Sequence, residues 1–215
     1  KGLIDCHTHT GFSVDSEADI NEMIERAIDL GLSAYAITDH CECNRWYGRE
    51  HYINPTTYLY FDFGQDYLNS VAEITKLKEK YSDKIELICG VELGQANQEP
   101  DLAQIVVDDR RVDFIIGSLH QLYETEDFAL IDYSMYTHDE VMGLLDRYYV
   151  EVLELAKLGK FDVLGHLTYT LRYIEGNAGI KVDLKKYDDI IDEIFKTVIY
   201  NGKGIEINTS CYRYR

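Results

Sequence analysis

Two histidines one residue apart, His7 and His9 in the stretch IDCHTH (4–9), are the first groups along the chain able to hold a cation. On an extended backbone residues i and i+2 point to the same side, so both imidazoles can reach one ion from a rigid support. Such a pair alone is a weak signal. Its company is stronger: five apolar runs finish on or near a His or Glu, namely His7, His40, Glu92, His120 and His166. A buried neutral imidazole needs a hydrogen-bonding partner, and a carboxylate at the end of LICGV is costly to bury without a cation. Imidazole and carboxylate together suit zinc, iron or manganese. A polynuclear metal centre is the expectation; His51 and His138 fall in loops and are left out of it.

The elements that must position these groups repeat one pattern, a short apolar run, a polar turn and a helical stretch. The runs are GLIDCH (2–7), SAYAITDH (33–40), KIELICGVEL (84–93), VDFIIGSLH (112–120), FDVLGHLT (161–168) and KGIEINTS (203–210). Between them, ADINEMIERAIDLGL (18–32) carries an apolar stripe that stops at Gly31, and YDDIIDEIFKTVIYNGKG (187–204) also ends on glycines. Alternation of strands with helices predicts an α/β fold with a parallel sheet covered on both faces. An open doubly wound sheet collects ligands at one switch point, whereas a barrel brings every strand end to one mouth. Ligands at the ends of five runs therefore favour a closed barrel. No Gly-rich phosphate fingerprint follows any strand.

Composition narrows the classes further. At 215 residues the chain is long enough for one domain, 1–215, with its own core. A formal charge of -18 repels nucleic acid and anionic lipid. No apolar run reaches membrane-spanning length and no secretory leader is visible, so no membrane partner and a cytoplasmic location are expected. Oligomeric state is not legible. Five scattered cysteines do not form a disulfide framework, and HCEC (40–43) has no second cysteine pair to complete a structural zinc site.

In order along the chain, DCHTHTGFSVDS, ITDH, GVE, GSLH and LGHL resemble the PHP (polymerase and histidinol phosphatase) family of metal-dependent phosphoesterases. DFIIGSLHQL, GHLTY, INTSCYR and the insertion at 41–84, a lid plus a helix, resemble its histidinol-phosphate phosphatase branch. The resemblance implies a distorted (βα)7 TIM-like barrel. It also implies two to three divalent ions, zinc first and iron or manganese as alternatives. His7 and His9 would hold one ion, and Glu92 would bridge it to a second bound by His120 and His166. Asp15 and His40 would hold the third. The family's seventh strand carries an Asp-x-His pair that this sequence lacks. The expectation is that the natural protein continues into that strand, the alternative being a degraded relative.

The implied reaction is phosphomonoester hydrolysis by a metal-bridging hydroxide, with Glu92 and His40 at the reacting centre. Arg172 and Arg213 follow predicted barrel-mouth strands and are the candidate catalytic cations that grip phosphate. The stretch 44–67, rich in Tyr and containing Trp46, is the candidate lid. L-histidinol phosphate is the expected substrate, its ammonium and imidazole suiting an acidic mouth. A phosphotyrosine phosphatase, an inactive PHP binding scaffold and a metal-dependent amidohydrolase are the rivals; the last typically needs a bridging Lys where Glu92 stands.

Overall fold

The computed structural model describes residues 2–51 and 62–208. Two compact units divide the chain, Lys1–Ile116 and Gly117–Arg215. The first contains β1 (Ile4–Asp5), α1 (Ile20–Asp29), β2 (Ala34–Ile37), β3 (His40–Glu42), α2 (Phe63–Lys80), β4 (Glu86–Gly94) and α3 (Pro100–Val107); β5 (Phe114–Ser118) runs across the division. The second continues with α4 (His138–Leu158), β6 (Val163–Leu164), α5 (Leu171–Ile174), α6 (Asp188–Tyr200) and β7 (Gly204–Ile205).

In the first unit all pairing is parallel: β1 with β2, and both β2 and β3 with β4. The run expected as one strand at 33–40 becomes two. Its register against β4 is nonetheless continuous, with Ile37 opposite Cys89 and His40 opposite Glu92. Bonding to β4 carries on between them, the Glu92 N–H donating to the Asp39 carbonyl at 3.1 Å, while Thr38 faces the other way and donates its N–H to the Thr8 carbonyl at 2.8 Å. Leu87, Cys89, Val91 and Leu93 of β4 are all buried, which explains why that run reads as almost uniformly apolar.

Helices cover the sheet through apolar stripes at helical spacing. Asp19 caps α1 by accepting from the Asn21 and Glu22 N–H groups, and Ile20, Ile24 and Ala27 form its buried face. Gly31, at φ +73°, ends it in the left-handed conformation that glycine adopts without strain. Asp62 caps α2, whose Phe63, Tyr67, Val71, Ile74 and Leu77 face inward.

In the second unit β6 pairs parallel with β7, and Gly165 donates to the Gly117 carbonyl at the end of β5. A capping box between Thr137 and Glu140 starts α4, which packs on α6 around Leu145, Tyr149, Val152, Ile194 and Val198. Each of the six apolar runs thus contains strand, and both quoted helical stretches contain helix. No helix among the described residues is long and apolar enough to cross a membrane.

Close packing against β5 generates a test. A Cβ at Gly117 would meet the buried Phe161 ring at 2.6 Å and its Cβ at 2.9 Å. Gly117→Ala is therefore expected to cost about 1–3 kcal/mol through overpacking, read as a lowered urea midpoint with unchanged m-value.

Candidate metal centre

Glu92 ends the apolar run of β4 with its side chain 1% exposed. Three imidazole nitrogens surround its Oε2: His9 Nε2 at 3.0 Å, His7 Nε2 at 3.2 Å and His40 Nδ1 at 3.3 Å. The parallel register explains one of these contacts, since His40 is the cross-strand partner of Glu92. The other two come from a loop. β1 ends at Asp5, so His7 and His9 lie beyond the strand that the sequence suggests should carry them. Thr8 holds that loop extended, its N–H donating to Thr38 Oγ1 at 3.1 Å and its hydroxyl to the Ala36 carbonyl at 2.8 Å.

Asp15 closes the arrangement on its open side. Its carboxylate lies 3.0 and 3.1 Å from His9 Nδ1 and 3.7 Å from His40 Nε2. His40 Nδ1 also meets Glu42 Oε1 at 2.9 Å. Burial and the nearby His40 oppose charge on His9, yet its bonds to Asp15 and Glu92 raise its pKa above the ordinary histidine value. Burial likewise opposes charge on His40, and the Glu92 charge with bonds to Asp15 and Glu42 carries its pKa well above normal. Burial works to raise Asp15, but bonds from His40 and His9 hold it far below the usual carboxylate range. One ligand atom from each of His9, Asp15 and His40 lies within 4.8 Å of the others. Imidazole nitrogens and carboxylate oxygens that converge in this way are the donor set a divalent ion requires.

A buried carboxylate one residue before His40 fixes the loops. Asp39 accepts from the Thr10 N–H at 2.6 Å, Thr10 Oγ1 at 2.9 Å, Ser13 Oγ at 2.9 Å and Ser70 Oγ of α2 at 2.6 Å. Ser13 Oγ in turn accepts the His40 N–H at 3.0 Å. The loop carrying His9, the strand carrying His40 and helix α2 are thereby tied at one point.

The second unit has its own imidazole pair. His120 Nε2 and His166 Nε2 lie 3.3 Å apart, and the Tyr169 ring is 4.9 Å from one imidazole and 5.1 Å from the other. Glu206 Oε2, just past β7, accepts the His166 N–H at 2.7 Å. Tyr169 donates to Asp127 Oδ1 at 2.8 Å; burial and the Asp127 charge push its pKa well up, so the hydroxyl keeps its proton.

The PHP domain family matches residues 5–210, a span that runs through both units and all seven ligand candidates. The chain belongs to the PHP domain family. Among its relatives, the probable histidinol-phosphatase of Thermotoga maritima is 30% identical over 97% of this chain and 70% of its own length. The histidinol-phosphatase of Lactococcus lactis is 24% identical over 97% of this chain and 72% of its own. The crystal structure of the Lactococcus lactis histidinol phosphate phosphatase, complexed with zinc, L-histidinol and phosphate, matches with a TM-score of 0.73. That match has 24% identity and covers 98% of this chain and 74% of that one. The PHP-type α/β fold expected from the sequence is the fold of this chain.

Within this PHP chain, Arg172 lies in α5, its guanidinium carbon 5.9 Å from the Tyr169 ring centre and 5.8 Å from that of Tyr173. Arg213 lies outside the described residues, as do positions 52–61 of the candidate lid. The described start of that stretch packs on α2: Trp46 stacks near Tyr67 at 5.8 Å and accepts the Gly64 N–H through its carbonyl. Cys41 and Cys43 are buried, and neither joins a metal-capable group among the described residues. Sequence reasoning passed over Asp39, Glu42 and Glu206. The register would have flagged Glu42, which shares a strand face with His40.

The tie at Asp39 makes a graded prediction. Asp39→Ala leaves buried donors on Thr10, Ser13 and Ser70 without their acceptor, and is expected to cost about 2–4 kcal/mol. Ser70→Ala, which removes one bond, is expected to cost about 1 kcal/mol. Urea unfolding of the two variants checks the order.

Proposed function

We propose that this chain is a metal-dependent phosphomonoesterase that hydrolyses L-histidinol phosphate, using two to three divalent ions, zinc first. The observation that carries the reading is the buried Glu92 carboxylate oxygen ringed by His7, His9 and His40 at 3.0–3.3 Å, in a chain of the PHP family. Its relatives named histidinol-phosphatase and the zinc, L-histidinol and phosphate held by the Lactococcus lactis structure support the substrate and the metal.

In this reading His7, His9, Asp15, His40 and Glu92 of the first unit are metal ligands, and so are His120 and His166 of the second. Bound divalent ions supply charge to neutralise phosphate oxygens and lower the pKa of water so that hydroxide is available near neutrality. The protein's part is to hold the ligands rigidly. Glu92 presents a carboxylate in a position from which water is excluded, where its interaction with a cation is strong. Asp15, with 53% of its side chain exposed, leaves that side accessible to a small substrate. Arg172 grips the phosphate, its planar cation positioned by Tyr169 and Tyr173, and Arg213 is a second such cation. The acidic balance of the chain, -18, suits the ammonium and imidazole end of histidinol phosphate.

Stripping metal with a chelator is expected to abolish phosphate release from L-histidinol phosphate, and added zinc to restore it. His9→Ala and Glu92→Ala should each lower turnover by more than about 100-fold while circular dichroism remains that of the parent. A phosphotyrosine peptide assayed in parallel should be a poor substrate. Release from that peptide alone, or wild-type turnover by both variants, would overturn the reading.

A further inference from the structure

Glu42 does not belong to any ligand set proposed above, yet it is 6% exposed beside the centre. Its Oε1 lies 2.9 Å from His40 Nδ1, nearer than the 3.3 Å that separates the same nitrogen from Glu92 Oε2, and the opposite ring nitrogen of His40 faces Asp15. An ionised carboxylate can only accept, so the proton of this bond belongs to Nδ1. The backbone makes room for the arrangement. Glu42 and Gly94 are cross-strand partners in the β3–β4 ladder. A Cβ at position 94 would come within 2.5 Å of the Glu42 carboxyl carbon and 2.7 Å of Oε1. Any side chain there must therefore push the carboxylate aside. Gly94 has no positive φ, so the requirement for glycine here is the space and not the backbone conformation.

We propose that Glu42 is a positioning residue for His40, fixing its proton on Nδ1 so that Nε2 presents a lone pair to the cation, and that Gly94 is the niche which holds Glu42 in place. The inference rests on the metal-centre reading of the previous section. A carboxylate behind a ligating imidazole sets both the tautomer and the orientation of the ring, and its loss weakens metal binding without removing a ligand.

A double-mutant cycle on the full chain, with zinc as the probe and affinity read by competition with a chromophoric chelator, tests this. Glu42→Ala is expected to weaken zinc binding about 10–100-fold, and Glu42→Gln, which keeps an acceptor oxygen, to weaken it less. Gly94→Ala alone should imitate Glu42→Ala. In the Glu42→Ala background Gly94→Ala should add nothing, because the carboxylate it displaces is already gone. A merely structural role for Gly94 predicts additive losses instead, and that result overturns the niche. Unchanged zinc affinity in Glu42→Ala, with normal uptake by the parent, overturns the positioning role alone. A parent chain that takes up no zinc overturns the metal-centre reading together with this inference.

Discussion

Burial of one carboxylate, Glu92, governs the chemistry available to this chain. A charged group with 1% of its side chain exposed is stable only in the company of cations or donors, and here the company is three imidazoles from three separate segments. Two of those imidazoles carry raised pKa values because the same carboxylates that would share a metal also favour their protons. Proton and metal ion compete for the same lone pairs, so the geometry that suits one suits the other.

Precision in such an arrangement comes from the surrounding hydrogen bonds. Asp39 binds the histidine loop and helix α2 at once through hydroxyls and one amide, and none of those partners is a metal-ligand side chain. Thr8 and Thr38 stitch the same loop to β2 from the other side. Alternation along the chain lets one stretch do both jobs: Thr38 holds the histidine loop while the Asp39 carbonyl keeps accepting the Glu92 N–H of β4. Glu206 does the equivalent for the second unit by clamping the His166 amide.

Legibility in the sequence followed physical contrast. His40, Glu92, His120 and His166 stand out because each is polar at the end of an apolar run, and burial of such groups demands a reason. The same contrast located all six strand-bearing runs and the two helices quoted from the sequence. Strand lengths were not legible. β1 and β6 span two residues each, within apolar runs that cover 2–7 and 161–168. Asp39 and Glu42 were missed since a carboxylate among polar neighbours looks solvated, and the hydroxyls of Thr10, Ser13 and Ser70 reach Asp39 across 26 to 31 residues of chain. HCEC drew attention to its thiols, whereas its glutamate makes the contact to His40. The Asp15 assignment came from the family pattern; its carboxylate lies 3.0 Å from His9 Nδ1 and 3.7 Å from His40 Nε2.

The tie around Asp39 is made of hydroxyls and one amide, and it anchors the segment from which His9 projects without calling on any proposed metal ligand's side chain. Loading such a centre freezes few rotors, because the backbone has already been ordered by folding. On the proposed metal-centre reading, depletion and reconstitution would then cycle without passing through a disordered chain, in contrast to small zinc modules whose architecture dissolves along with the ion.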